Sequence, residues 1–214
     1  MYFLAHRGNT VKPEPEKENV LETLIGALGK GYGIETDIRD LNGEIVISHD
    51  MPRGSPLKFG ELLDALPPLK AGQLLALNVK SDGQHKLLKE VLESRLELGP
   101  NCFFFDMSVP TLYLFSKFLP RENLATRVSD IEPEPDLYDS ADWLWVDCFS
   151  RDYSDFGALR RYLEDGKKLA LVSPDLHKRD PYAFWESLKD AGMHKDEVWL
   201  CTDYVERAKE FFES

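Results

Sequence analysis

The chain has 214 residues, of which 43% are hydrophobic and 30% charged, and it carries a net charge of −12. That length allows one domain, residues 1–214, with a large core, and no apolar run approaches the ~20 residues of a membrane span. The acidic balance disfavours nucleic acid and anionic membrane as electrostatic partners; a small phosphate ligand stays compatible, because a local cation and a few basic groups can outweigh the overall field. The opening residues, Met1 to Arg7, run too quickly into polar sequence to read as a signal peptide. Three cysteines, Cys102, Cys148 and Cys201, lie scattered in strand-like apolar runs. An odd, dispersed set argues for reduced thiols and a cytoplasmic setting, not a disulfide frame or a zinc site.

In chain order, Tyr2 to Ala5 reads as a strand ended by His6-Arg7-Gly8, and a polar loop with prolines follows. Leu21, Leu24, Ile25 and Leu28 recur at helical spacing, and Gly29, Gly31 and Gly33 punctuate the helix end. A strand through Ile34 to Ile38, an Asn42-Gly43 turn and a short strand Ile45 to Ile47 form a hairpin. Phe59 to Leu66 predicts a short helix stopped by Pro67-Pro68. Thereafter strands at Leu74–Lys80, Cys102–Asp106, Leu124–Val128, Trp143–Phe149, Leu169–Ser173 and Val198–Thr202 alternate with helices. The helices are expected at Leu87–Leu98, Thr111–Phe118, Phe156–Leu163, Tyr182–Ala191 and Val205–Phe212, while Ile131–Tyr138 is acidic and proline-bearing and reads as a loop. Without the hairpin extension there are about eight strand–helix units, the number a closed TIM (β/α)8 barrel needs. An open doubly wound sheet lacks support, because the first strand is followed by no Gly-x-Gly-x-x-Gly loop and the chain has no Walker-type Gly-Lys-Ser/Thr.

Chemistry concentrates in Ile34–Asp50. Glu35 and Asp37 are two apart on a strand, so both carboxylates face one way while Ile34 and Ile38 face the other. Two convergent carboxylates repel unless a cation or a shared proton lies between them, which points to a metal site. An exposed strand face of an acidic protein has the same spacing. The barrel reading separates the two: active sites in this fold lie at the C-terminal strand ends, and there His6, Arg7, Glu35, Asp37, His49, Asn78 and Lys80 would share one rim. Of the weaker features, Trp145 and Asp147 share a strand face. His177 and Arg179, after the seventh barrel strand, are placed to hold a second anionic group or to form a solvated basic loop. Glu18 reads as a structural partner of Arg7 or a helix cap.

These residues resemble the glycerophosphodiester phosphodiesterase family. The resemblance rests on His6-Arg7-Gly8 closing strand one, Glu18-Asn19 before the first helix, Glu35-x-Asp37 on strand two, the Gly43 turn and His49-Asp50, with Thr202-Asp203 at the far end. It implies a barrel phosphodiesterase. A divalent cation, Mg2+ or Ca2+ with Mn2+ as an alternative, would sit on Glu35, Asp37 and a third strand-three residue. His6 and His49 would be general acid and base, and Arg7 and Lys80 phosphate contacts. Two departures stand out. The third acid of the family pattern is Asn78 here, an amide that can ligate a hard cation without adding charge. The segment Met51–Gln73 is also shorter than the family's usual insertion.

The expected activity is metal-dependent hydrolysis of a small glycerol-, inositol- or sugar-linked phosphodiester. One histidine would be protonated to supply the leaving oxygen and the other neutral to activate the nucleophile. Two alternatives remain open at this stage: a catalytically inactive barrel that binds a phosphorylated ligand, and a phospholipase C/D-like lyase that releases a cyclic phosphate.

Overall fold

The structure, a computed structural model, describes residues 1–95 and 98–214. Its strands are β1 (Tyr2–His6), β2 (Gly33–Leu41), β3 (Glu44–Ile47), β4 (Leu75–Val79), β5 (Cys102–Phe105), β6 (Ala125–Val128), β7 (Trp143–Val146), β8 (Lys168–Val172) and β9 (Val198–Thr202). Its α-helices are α1 (Leu21–Gly29), α2 (Phe59–Asp64), α3 (His85–Ser94), α4 (Val109–Phe115), α5 (Phe156–Glu164), α6 (Tyr182–Asp190) and α7 (Val205–Glu213). The parallel strands pair in the order β5-β4-β2-β1-β9-β8-β7-β6, and a parallel bridge between Phe104 and Leu124 brings the two ends together. The result is a nearly closed (β/α)8 barrel. β3 stands outside it, antiparallel to β2 across the Asn42-Gly43 turn, where φ is +53° and +84°. Both central residues are thus left-handed, as a two-residue hairpin turn matching the strand twist requires.

Strand alternation sorts the side chains. Leu75, Leu77 and Val79 point outward and pack beneath the helices with Ile34 and Ile38. Ala76 points inward, into a barrel interior filled by Phe103, Phe105, Trp143, Trp145 and Trp199. Phe103 stacks on Trp143 with centroids 4.4 Å apart, and Phe105 on Trp145 at 3.8 Å. Small residues on neighbouring strands, Ala76, Ala125 and Ala170, leave room for these rings. The buried indoles have partners: Trp143 Nε1 donates to the Glu122 carbonyl at 3.1 Å and Trp199 Nε1 to that of Gly72 at 2.9 Å. Gly72 has φ +82°, and a Cβ there would lie 2.1 Å from the Tyr2 ring, so glycine is required where the barrel floor closes.

Several boundaries differ from those the sequence predicts. β5 stops at Phe105 because Asp106 turns left-handed, with φ +65°. β7 stops at Val146, three residues early. Asp147 N still donates to Val128 O at 2.9 Å, but the Phe149 and Ser150 amides donate to the Asp130 carboxylate at 2.9 Å each instead of to a strand. α4 starts at Val109, two residues early, with the Ser108 hydroxyl accepting from Thr111 N. The predicted Leu87–Leu98 helix is observed as His85–Ser94, and residues 96 and 97 of that prediction lie outside the described residues. Between β6 and β7 the described chain holds only a short 3-10 turn, Tyr138–Ser140, as the acidic proline-bearing sequence suggests. No helix among the described residues is long and apolar enough to cross a membrane. The three cysteines are free and buried.

Candidate active site

The site begins where β1 ends. His6 is the last residue of β1, and the parallel register sets it opposite Glu35 of β2. Closing the barrel brings β9 alongside β1, so Asp203, just past β9, meets the ring: His6 Nδ1 lies 2.7 Å from Asp203 Oδ1. An ionised carboxylate only accepts, so Nδ1 carries the proton and Nε2 is the nitrogen facing Glu35, 3.9 Å from its Oε2. Asn9 Nδ2 donates to the same Asp203 oxygen at 2.8 Å and steadies it. Burial disfavours the imidazolium, but the Asp203 hydrogen bond and the charges of Glu35 and Asp203 outweigh it, so His6 titrates above its ordinary range.

The next two residues turn the chain sharply. Arg7 has φ +50°, and Gly8 has φ +88° with its α-carbon so close to α1 that a Cβ would lie 3.1 Å from Leu24 N. The Arg7 amide donates to the Glu35 carbonyl at 3.0 Å and leans on its carboxylate at 3.3 Å. Its guanidinium donates to Glu18 Oε2 at 2.9 Å and lies 3.1 Å from Asp37 Oδ2. Glu18 therefore orients Arg7; it does not cap α1, whose N-cap is Val20.

Glu35 and Asp37 point inward and are 2% and 1% exposed, although they are charged at neutral pH in ordinary surroundings. Burial, reinforced by the neighbouring Asp37 charge, pushes the Glu35 carboxyl up to about 7. Burial alone would raise Asp37 too. The Lys80 and Arg7 charges, a 2.9 Å hydrogen bond from Asn19 Nδ2 and the His49 charge hold it below the usual range instead. Lys80 Nζ lies 3.3 Å from Asp37 Oδ1, close enough for an ion pair but off the angle of a hydrogen bond. Asn78 is Asp37's register partner on β4. Asp37 Oδ1 and Asn78 Oδ1 are thus buried oxygens with no hydrogen-bond donor among the described residues. His49 arrives from the loop after β3, with its side chain 44% exposed and its Nδ1 2.9 Å from Asp50 Oδ1.

All seven residues singled out from the sequence, His6, Arg7, Glu35, Asp37, His49, Asn78 and Lys80, line one cavity of about 580 Å³ at the C-terminal mouth of the barrel. Two orphaned buried oxygens beside a second carboxylate make an all-oxygen donor set that suits a hard divalent cation. Among the described residues no three His, Cys, Asp or Glu side chains are arranged to hold a metal ion; the third oxygen at this place is the Asn78 amide.

On the far wall of the cavity the sequence singles out Trp145, Asp147 and His177, which do line it, but not the pairing of the last two. Asp147, just past β7, pairs with His177 through Oδ1 and Nε2 at 2.6 Å, and Phe149 meets the His177 ring edge-on at 5.3 Å. Arg179 Nη2 donates to the Cys148 carbonyl at 2.8 Å and lies 3.5 Å from Asp152, while its Nε and Nη1 are buried with no hydrogen-bond partner among the described residues. Asp106, held by Arg127, also reaches the cavity. Trp145 lines the cavity while packing in the barrel core. Asp203, marked in the sequence only as part of the closing Thr202-Asp203, had a usable signal for its pairing: in a closed barrel the last strand end must adjoin the first, and so must adjoin His6.

The fold has solved relatives. The chain is similar over 100% of its length to 98% of a provisional glycerophosphodiester phosphodiesterase from Galdieria sulphuraria, with TM-score 0.75 and 17% identity. It is also similar, over 100% of both chains, to a glycerophosphodiester phosphodiesterase from Agrobacterium tumefaciens, with TM-score 0.68 and 16% identity. A third such enzyme, from Parabacteroides distasonis, matches with TM-score 0.65 and 14% identity over 99% of this chain and 97% of that one. No family model and no curated protein sequence matches the chain. At these identities the likeness is one of fold.

Proposed function

We propose that the chain is a phosphodiesterase that hydrolyses a small glycerol-, inositol- or sugar-linked phosphodiester by histidine acid–base catalysis. A divalent cation, Mg2+ or Ca2+ with Mn2+ as an alternative, would be held by Glu35, Asp37 and Asn78. The observation that carries this reading is the meeting, in one cavity, of an Asp203-backed His6, a second histidine, the buried Glu35–Asp37 pair and two buried oxygens without a hydrogen-bond donor among the described residues, Asp37 Oδ1 and Asn78 Oδ1. The three solved relatives, glycerophosphodiester phosphodiesterases by name, support the same class.

The chemistry follows from the electrophile. A phosphodiester anion repels nucleophiles, and its alkoxide leaves with difficulty near neutral pH. Glu35, Asp37 and Asn78 would hold a divalent cation, which would supply Lewis-acid neutralisation of the phosphate charge. Arg7 and Lys80 both lie against Asp37, so a phosphate beside that carboxylate would share their positive charge, forked from the guanidinium and point-like from the ammonium. Asp203 holds the His6 ring with Nε2 turned to the acids, so this ring takes or gives its proton at one defined nitrogen. His49 is the more exposed partner and would complete the acid–base pair from the hairpin side.

The test is turnover of an aryl phosphodiester and a set of glycerophosphodiesters after metal stripping, with each cation returned in turn and His49→Ala alongside. Cation-dependent turnover lost in the variant is expected. A monoester product means hydrolysis and an accumulating cyclic phosphate means a lyase. One observation favours a second reading: Asn78 brings no charge where an acid would strengthen cation binding. Phosphate-ligand binding without turnover under any metal would make the barrel a binding protein.

A further inference from the structure

We propose that Asp147 and His177, with Phe149 beside them, form a hydroxyl-reading subsite for the alcohol part of the substrate, and that this alcohol is a neutral polyol or sugar. The inference rests on the phosphodiesterase reading and narrows it. The pair lines the same cavity as the acids and histidines of the front wall, but comes from the loops after β7 and β8. Nothing in the phosphodiester chemistry uses it.

The atoms define what it recognises. Asp147 Oδ1 lies 2.6 Å from His177 Nε2, with side chains 13% and 23% exposed. A carboxylate accepts and does not donate, so Nε2 carries the proton, and in that tautomer of the neutral ring Nδ1 is a lone-pair acceptor. Neither Nδ1 nor Asp147 Oδ2 has a hydrogen-bond partner among the described residues. The pair therefore offers acceptors, and acceptors call for donors such as hydroxyl hydrogens. An added phosphate, carboxylate or ester carbonyl offers only more acceptors. The cavity wall as a whole carries more carboxylates than lysines and arginines, which disfavours a further anionic group as well. Phe149 and Trp145 add an apolar wall that suits the C–H faces between the hydroxyls of a polyol ring.

The geometry is held from outside the pair. The Asp147 amide stays bonded to the end of β6, and the Asp130 carboxylate fixes the amides of Phe149 and Ser150. Arg179 clips the Cys148 carbonyl, tying the His177 loop to the Asp147 loop. The two acceptors thus sit on two loops tied to each other, which is what discrimination by hydrogen-bond count needs.

The experiment compares kcat/KM for a glycerophosphodiester carrying inositol, the ethanolamine equivalent and an aryl diester without hydroxyls, in wild type, His177→Ala and the isosteric Asp147→Asn. The readout is the selectivity ratio of the inositol ester over the aryl ester. It is expected to fall roughly tenfold to hundredfold in each variant, as loss of a hydrogen bond to a charged or paired group implies. An unchanged ratio would overturn the proposal. So would a larger fall for the ethanolamine ester, because it would assign the pair to an ammonium. If no diester is turned over by wild type, the phosphodiesterase reading fails separately. Calorimetric binding of inositol 1-phosphate then decides the subsite: weaker binding by both variants supports it, and equal binding by all three proteins overturns it.

Discussion

The two walls of the barrel mouth are built differently. On the front wall the functional side chains sit on the strands or within a residue or two of their ends: His6 closes β1, Glu35 and Asp37 lie within β2, and Asn78 lies within β4. Parallel pairing fixes them, His6 against Glu35 and Asp37 against Asn78. On the rear wall Asp147 lies one residue past β7 with its amide still bonded to β6, while Phe149 and His177 lie further out, on segments held by side-chain bonds from Asp130 and Arg179. Backbone pairing gives fixed positions at the cost of variety, whereas side-chain-tied loops can be changed without disturbing the barrel. The division suits the proposed roles, with reaction at the front wall and selection at the rear.

The sharpest way to break this division is His6→Ala. A general acid or base contributes ~10²–10⁴-fold, so turnover of any diester, aryl or polyol, should fall by that factor. Steady-state kcat on the aryl ester measures it. A fall confined to polyol esters would place His6 with the selecting residues and dissolve the contrast. Next in size is the stored cost of the front wall. With no cation added, Glu35 titrates near 7 in the folded protein because of burial and Asp37, and His6 also titrates above its ordinary range. Both folded values are raised, so the folded state holds more protons than the unfolded one between about pH 4.5 and 7, and stability falls as pH rises through that window. Glu35→Gln should remove most of this dependence and stabilise the metal-free protein at pH 8 by up to about 3 kcal/mol. Urea denaturation at pH 5 and pH 8 reads it, and a variant whose stability falls with pH as steeply as wild type would sink the assignment. A smaller effect is expected from Asn78→Glu, which adds the missing charge to the oxygen set: cation affinity measured by calorimetry should rise roughly tenfold. Unchanged affinity would mean that Asn78 is not in the cation's reach.

The same contrast explains what the sequence made legible. Front-wall residues belong to strands or lie just past their ends, and strand alternation is periodic, so the sequence puts Glu35 with Asp37 on one face of their strand and Asn78 with Lys80 on one face of theirs, all at one rim. The barrel followed from the count of alternating elements, and the hairpin from Asn42-Gly43. The Asp147–His177 pair spans residues with no periodic relation, and its formation depends on where two loops are tied. The predicted extension of β7 to Phe149 shows why it was missed. The apolar run continues through Cys148 and Phe149, but Asp130 captures the amides that a strand would need. Asn19 stands in the Glu18-Asn19 pair the sequence singles out, but its contacts do not show there: it takes a left-handed φ of +59° and bridges Thr36 and Asp37, which no local pattern encodes.

The smallest expected effect tests whether the rear wall depends on its ties. Asp130 accepts from Phe149 N, Ser150 N and the Ser150 hydroxyl, and these bonds hold its carboxyl well below the usual carboxylate range. A lowered value means the ionised form is the one the loop binds, so the tie persists above the ordinary range and is lost only on strong acidification. Asp130 is solvent-accessible, and the bonds it makes lie outside the barrel's pairing, so Asp130→Ala should leave the unfolding midpoint close to that of wild type. Hydrogen exchange at Phe149 and Ser150 should accelerate severalfold while the amides of β7 exchange as before, because a local opening exposes only the loop. If β7 exchange rises in step, the loop and the strand open as one unit. The rear wall would then be as much a part of the barrel's pairing as the front, and the division of labour drawn from their construction would have no structural basis.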